Sequence, residues 1–109
     1  LTPILLPGAR KAALEDSMML FFTGFTRFAE EIEKRKVATF GDRTKELRAI
    51  YDMVGEGERI LTDTSRNIND FGELLHQTWV NKKMLDPSVS NPEIDERYEA
   101  ALKAGALGG

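Results

Sequence analysis

The chain has 109 residues, of which 41% are hydrophobic and 30% charged, and its 18 acidic and 15 basic side chains give a net charge of −3. This length and composition predict one globular domain, and the absence of cysteine excludes disulfides, thiolate metal sites and a cysteine nucleophile. The negative charge disfavours nucleic-acid binding, and no apolar run reaches the roughly 20 residues that cross a membrane. We therefore expect a cytoplasmic protein that binds neither nucleic acid nor membrane.

The N-terminal part of the chain predicts two extended segments with a short helix between them. Residues 1–6 are apolar but contain Pro3, which suits an edge strand or an extended arm. Residues 9–17 are rich in helix-forming side chains. Residues 18–23 form a continuous apolar run that ends at Gly24, which is typical of a strand buried on both faces of a sheet.

Two amphipathic helices are predicted after Gly24. The first covers residues 26–40, and the second begins at Asp42 and contains Gly55 and Gly57, each of which costs about 1 kcal/mol relative to alanine. The apolar positions are Phe25, Phe28 and Ile32 in the first helix, and Leu47, Ile50 or Tyr51, Val54 and Leu61 in the second. Polar residues 62–67 then interrupt the pattern.

Two more helices are predicted near the C-terminus, separated by a loop at residues 86–89. The first of these helices is predicted to begin at a cap formed by Asn67 or Asn69. The second is predicted to begin either at Asn91, with Pro92 in the first helical position, or at a capping box from Ser90 to Glu93, and to end at Gly105. Their apolar positions are Phe71, Leu74, Leu75, Thr78, Trp79 and Leu85, then Ile94, Tyr98, Ala101 and Leu102.

A single buried strand among helices needs partners, because its backbone donors and acceptors must be hydrogen-bonded. The sequence therefore predicts an α+β fold, a mostly helical segment whose helices pack on one face of a sheet that lies largely outside the chain. The chain also starts at Leu1 without an initiator methionine and stops at Gly108 and Gly109. These ends predict a piece of a longer protein.

Two groups of residues have the chemistry to bind an anionic ligand. Thr23 and Arg27 flank the predicted turn from strand to helix, where backbone N–H groups and the helix dipole favour an anion. Lys82 and Lys83 follow Trp79 by three and four residues and would form an amphipathic wall for a polar ligand. The alternatives are an exposed arginine after a helix cap, and a core tryptophan next to solvated lysines.

The glycine-rich end and the single histidine each allow two interpretations. Gly105, Gly108 and Gly109 form either a helix stop with a flexible end, or the start of a loop whose backbone amides approach phosphate. His76 suits a boundary position on its helix better than the role of a ligand or base. No pattern predicts a metal site or a serine nucleophile.

Four segments carry a resemblance to a known family: residues 20–27 (LFFTGFTR), 71–79 (FGELLHQTW), 89–95 (VSNPEID) and 98–109 (YEAALKAGALGG). They resemble the GHMP kinase superfamily, and within it the branch of D-glycero-D-manno-heptose 7-phosphate kinases. The resemblance implies that residues 1–109 are part of the C-terminal domain, in which helices cover an antiparallel sheet. The N-terminal nucleotide-binding domain and the final strands would then lie outside the chain.

The resemblance also implies an activity, the transfer of phosphate from ATP to the anomeric hydroxyl of a heptose 7-phosphate. ATP and Mg²⁺ would bind mainly to the N-terminal domain, and Gly105, Gly108 and Gly109 match the start of a glycine motif near the nucleotide phosphates. From charge and position, we predict Thr23 and Arg27 on the acceptor side of the cleft and Lys82 or Lys83 at the substrate's 7-phosphate.

The same resemblance implies which partners the chain has and whether it is active alone. The expected partners are the sugar phosphate, the N-terminal kinase domain and a second copy of the protein in a homodimer. No catalytic residue is expected in this segment, which we predict to be inactive alone. The alternatives are a non-catalytic helical module that binds another protein, or a kinase of the same superfamily for another sugar such as fucose.

Overall fold

The computed structural model describes residues 1–24 and 43–109. These residues form four α-helices and one short 3-10 helix. In chain order they are α1 (Gly8–Asp16), α2 (Thr44–Thr62), α3 (Asn69–Leu85), the 3-10 helix Pro87–Val89, and α4 (Pro92–Lys103). The helices predicted at residues 9–17, from Asp42, after Asn67 or Asn69, and after Asn91 are therefore confirmed. The helix predicted at residues 26–40 lies outside the described residues.

Both ends of α4 follow the predicted capping chemistry. The Asn91 side chain accepts a hydrogen bond of 2.8 Å from the backbone N–H of Ile94, and Pro92 occupies the first helical position. At the other end, Gly105 has a φ of 111°, which favours glycine. The N–H groups of Gly105 and Ala106 donate to the carbonyls of Leu102 and Ala101, as in a Schellman motif.

Helices α2 and α3 pack as an antiparallel hairpin. Near the turn, Gly57 of α2 faces Phe71 and Leu74 of α3. Further away, the Met53 sulfur accepts hydrogen bonds from Thr78 and Asn81. The pairing therefore runs in opposite directions along the two helices, as expected from a short connection.

The buried apolar side chains lie at the two ends of this hairpin and in the turn that follows it. Ile60 is 2% exposed, and Leu85 and Val89 are also buried. The Asp86 carboxylate accepts hydrogen bonds from the backbone and the hydroxyl of Ser88, which stabilises the 3-10 helix. Burial is therefore concentrated in two places, at the C-terminal end of α2 and where α3 ends and the chain turns toward α4.

Helix α1 contains no buried residue and is attached through Arg10. The Arg10 guanidinium donates to the carbonyl oxygens of Ile60, Leu61 and Arg66. The first two belong to the last turn of α2, where carbonyl groups lack partners inside the helix and carry a partial negative charge. Arg10 thus joins α1 to the C-terminal end of α2.

The predicted α+β fold is wrong for the part of the chain that the structure describes. Residues 18–23 form neither helix nor strand, residues 1–6 form no edge strand, and the described residues contain no sheet. The five side chains from Met18 to Phe22 are 69–101% exposed. An apolar run favours a strand only if a hydrogen-bonded neighbour accompanies it, and the described residues provide none.

The predicted apolar face of α2 is also partly wrong. Of the alternatives Ile50 and Tyr51, Ile50 is half-buried and Tyr51 is 76% exposed. Val54 is 69% exposed, whereas Ile60, which the apolar pattern did not include, is the most buried side chain described. The actual contact face passes through Met53, Gly57 and Ile60, because α3 packs along that line. Among the described residues, no helix is long and apolar enough to cross a membrane.

Candidate functional site

Polar and aromatic side chains cluster where α3 meets α4, and one of the predicted site residues, Lys83, is among them. On α3, Gly72, His76, Trp79 and Lys83 follow one another at spacings of four, three and four residues, which places them on one face. On α4, Asp95 and Tyr98 are three residues apart and contact that face. We refer to these six residues as the α3–α4 seam.

His76 and Tyr98 form the centre of the seam. The Nδ1 atom of His76 and the Tyr98 hydroxyl share a hydrogen bond of 2.9 Å, and the two rings are stacked with planes 5° apart. Trp79 completes an aromatic group, with its ring centroid 6.0 Å from that of Tyr98. These contacts fix the orientation of the histidine and the tyrosine relative to each other.

The far end of the seam is an ion pair over an aromatic face. The Lys83 ammonium lies 3.2 Å from the Asp95 carboxylate and 5.7 Å from the centroid of Trp79. Asp95 also accepts a 2.8 Å hydrogen bond from the Ser90 hydroxyl. The Ser90 hydrogen bond, followed by the Lys83 ammonium, lowers the pKa of the Asp95 carboxyl below its ordinary value.

The glycine-rich end of the chain packs against the near end of the seam. A Cβ atom at Gly108 would collide with the carbonyl oxygen of Gly72 and would lie 2.6 Å from the backbone nitrogen of His76. A Cβ atom at Gly72 would lie 2.9 Å from the Cβ of Leu107. Glycine is therefore required at both positions for this close approach.

Tyr98 links the seam to the last glycine. Burial raises the pKa of the Tyr98 hydroxyl above its ordinary value, and a hydrogen bond from the Gly109 backbone and the charge of Lys83 partly offset this rise. The hydroxyl thus stays protonated at neutral pH and contacts His76, and Gly109 lies beside the Tyr98 ring.

The structure brings some of the predicted site residues together and separates others. The segment 105–109 lies at one end of the seam and Lys83 at the other, about 16 Å apart at 1.5 Å per helical residue. Lys82 is exposed and forms no ion pair with a described residue. Thr23 is half-buried, and its neighbour Gly24, with a φ of 84°, lies next to the Arg97 guanidinium of α4. Arg27 lies outside the described residues.

An open groove of about 390 Å³ adjoins the seam and shares one residue with it. It is lined by Met53, His76, Gln77, Val80 and Asn81, between α2 and α3. His76 is therefore positioned between this groove and Tyr98. Within residues 1–24 and 43–109, no group of three or more histidine or carboxylate side chains is arranged to hold a metal ion.

Sequence reasoning did not anticipate the roles of Gly72 and Tyr98. Gly72 is an isolated glycine inside a helical pattern, a signal that often marks a close contact. The sequence predicts Tyr98 on the apolar face of α4. Its hydroxyl, which needs a hydrogen-bond partner when buried, is the one signal of a polar contact. The partner of each residue lies on another segment, which the sequence pattern does not specify.

Comparison with known proteins gives one relationship. Over 99 residues the chain is 33% identical to D-glycero-alpha-D-manno-heptose 7-phosphate kinase from Campylobacter jejuni, a match that covers 88% of the chain. The chain spans 28% of that kinase. No family profile and no solved structure matches the chain. The chain is therefore distantly related to part of a kinase, which confirms the predicted relationship at that level.

Proposed function

We propose that this chain is part of an ATP-dependent kinase that phosphorylates the anomeric hydroxyl of D-glycero-D-manno-heptose 7-phosphate. The observation that carries the proposal is the 33% identity to the heptose 7-phosphate kinase of Campylobacter jejuni across 88% of the chain. The matched region includes most of the chain, so the proposal does not depend on one short motif.

The proposed reaction requires positioned charges more than reactive side chains. The bond between the γ-phosphorus of ATP and its bridging oxygen breaks and releases ADP, while the anomeric oxygen forms a bond to phosphorus and gives its proton to a base outside this segment. The described residues contain no group of three or more histidine or carboxylate side chains that could hold a metal ion, so they do not fit a Mg²⁺ site. In the proposal, ATP and Mg²⁺ bind mainly to an N-terminal domain, and the isolated chain is inactive.

The positions of Lys82 and Lys83 suggest how this chain would contribute to substrate binding. Lys82 is exposed and can reach the 7-phosphate of the sugar without breaking an ion pair to a described residue. Lys83 already contacts Asp95, so a phosphate would compete with that carboxylate. We therefore assign the 7-phosphate to Lys82 first. Gly105, Gly108 and Gly109 are assigned to the nucleotide side, and Thr23 and Arg27 to the acceptor side.

The test uses the complete gene product that contains this chain. The purified protein is incubated with ATP and Mg²⁺ and with a panel of sugars and sugar phosphates that includes the heptose 7-phosphate, fucose and a uronic acid. Formation of ADP and of a sugar 1-phosphate with the heptose 7-phosphate supports the proposal. Preference for another sugar refutes the substrate assignment, and absence of any sugar-dependent ADP formation refutes the kinase assignment. ADP formation by the 109-residue chain alone would refute its predicted inactivity.

A second candidate is a non-catalytic helical module that binds another protein. The exposed apolar side chains from Met18 to Phe22 favour it, because contiguous apolar surface of this kind often marks a protein contact. The kinase assay separates the two functions, since this module would not form ADP. Sedimentation of the same protein tests the expected homodimer.

A further inference from the structure

We propose that Gly72, His76 and Tyr98 are positioning residues that hold the glycine-rich segment, residues 105–109, in one place on α3. The proposal rests on the proposed function, in which this segment lies near the phosphates of ATP. It adds that the segment acquires its position from contacts with α3 and α4.

The first argument is the packing between Gly72 and the segment. The closest approach joins Gly72 to Leu107 and Gly108, at distances that leave no space for a Cβ atom on either glycine. A Cβ on Gly72 would meet the Cβ of Leu107, and a Cβ on Gly108 would meet backbone atoms of Gly72 and His76. These atoms are close to or part of the backbone, so they cannot move aside as the tip of a long side chain can. A methyl group at Gly72 must therefore displace the segment.

The second argument is that the segment is fixed at both of its ends. At the start, the N–H groups of Gly105 and Ala106 donate to the last turn of α4. At the end, Gly109 packs against the Tyr98 ring, where a Cβ atom on the glycine would lie 3.8 Å from Cε2, and His76 holds the Tyr98 hydroxyl at 2.9 Å. Two attachments within five residues leave the intervening backbone few conformations.

The link to ligand binding follows from how backbone amides recognise phosphate. Amides bind a phosphate well only when they are already oriented, because reorganising them at the moment of binding reduces the affinity. The face of the segment toward α3 is occupied by Gly72 and His76. Its opposite face is then the one that would approach the nucleotide, and undocking the segment would weaken binding of ATP more than binding of the sugar.

Two substitutions test the contact, and each has a matched control in the same chain. Gly72→Ala is compared with Gly57→Ala, where the new Cβ would make ordinary contacts of 3.5 Å and 3.6 Å with Leu74 and Phe71. Tyr98→Phe is compared with Tyr51→Phe, because Tyr51 is exposed and distant in sequence from the segment.

The first measurement is the backbone order of residues 107–109 by ¹⁵N relaxation of the complete gene product that contains this chain. We expect order parameters of about 0.85 in the unsubstituted protein and below about 0.6 in the Gly72→Ala and Tyr98→Phe variants. Both controls should keep the higher value. Unchanged order in Gly72→Ala and Tyr98→Phe would overturn the proposal.

The second measurement is steady-state kinetics of the complete gene product. In Gly72→Ala and Tyr98→Phe we expect the KM for ATP to rise about fivefold, the factor equivalent to one net hydrogen bond, with the KM for the sugar phosphate unchanged. His76→Asn retains a polar atom near the position of Nδ1 and should retain much of the ATP affinity. Loss of backbone order without a change in the KM for ATP would overturn the positioning role.

Different results refute the kinase assignment and the docking of residues 105–109. An inactive unsubstituted protein refutes the kinase assignment, and the relaxation data alone then decide the docking of the segment. Loss of order in Gly72→Ala and Tyr98→Phe, but not in the controls, supports docking in that case. Equal order in all variants overturns it.

Discussion

Replacing Arg10 by alanine should detach α1 from the rest of the described structure. The guanidinium donates to the Arg66 carbonyl at 2.7 Å, to the Leu61 carbonyl at 3.3 Å, and to the Ile60 carbonyl. Hydrogen bonds from a charged group contribute about 1.5–3 kcal/mol each, and the charge adds about 0.3–1 kcal/mol at a helix C-terminus. The bonds to Ile60 and Arg66 are the two shorter ones, and the lower end of this range for each gives about 3 kcal/mol. We therefore expect Arg10→Ala to lower the free energy that holds α1 in place by about 3 kcal/mol.

This energy concerns α1 specifically, because the helix has nine residues and no buried side chain. Helices of this length are marginal in water without tertiary contacts. A loss of about 3 kcal/mol corresponds to roughly 100-fold faster amide exchange. We therefore expect this acceleration across residues 8–16 in Arg10→Ala, with a smaller one in Arg10→Lys, which keeps the charge but loses the fork of donors.

Hydrogen exchange followed by NMR measures this effect residue by residue. The matched control is Lys11→Ala, since Lys11 is also basic and lies on the same helix, but is exposed and only 3.8 Å from Glu15 in an ion pair. Its removal should change exchange by less than a factor of about three. Equal protection of α1 in Arg10→Ala and Lys11→Ala would refute the inference that Arg10 attaches the helix.

Three further substitutions test the core, a cap and a carboxylate. Ile60→Ala should lower the free energy of unfolding by about 2–5 kcal/mol in urea denaturation, because it removes a buried side chain. Val54→Ala, at an exposed position, should change the free energy of unfolding by less than about 0.5 kcal/mol. Similar losses in the two variants would contradict the observed contact face of α2. Asn91→Ala should cost about 1 kcal/mol in the same assay because the N-terminus of α4 loses its cap, and an unchanged midpoint would contradict the capping role. Ser90→Ala should raise the pKa of Asp95 toward its ordinary value in an NMR titration, because the hydroxyl is the main cause of the lowered pKa. Since the pKa of Asp95 is lower in the folded protein, its stabilising contribution is present above the unfolded pKa and is lost as the pH falls through the folded pKa. A pKa of Asp95 that does not move would contradict this assignment.

The sequence predicted the helices well where local chemistry sets their limits. Asn91, Pro92 and Gly105 act on backbone groups within a few residues, so their effect can be recognised without knowing the fold. Residues 18–23 show the opposite case. Whether an apolar run becomes a strand depends on hydrogen-bonded partners from other segments, and its composition contains no information about them.

In the candidate site, too, contacts within one helix could be predicted from the sequence and contacts between segments could not. Trp79 and Lys83 were predicted to lie together because four residues along a helix bring side chains to one face, and the structure places them in contact. The contact of Gly108 with Gly72 and the hydrogen bond between His76 and Tyr98 join positions 36 and 22 residues apart. Those contacts depend on how α3 and α4 pack, which the spacing of residues along one helix does not determine.

The antiparallel hairpin of α2 and α3 has a consequence for the order of folding. Its polar contacts through Met53 join residues 25 and 28 positions apart, whereas the contacts of Arg10 with α2 and the following loop span 50 to 56 positions. Closing a shorter loop costs less entropy, and contacts between nearby residues form faster. We therefore expect the hairpin to form first and to provide the carbonyl oxygens that Arg10 recognises. Helix α1 would then join an already folded surface, and it would be the first element to leave when the protein unfolds.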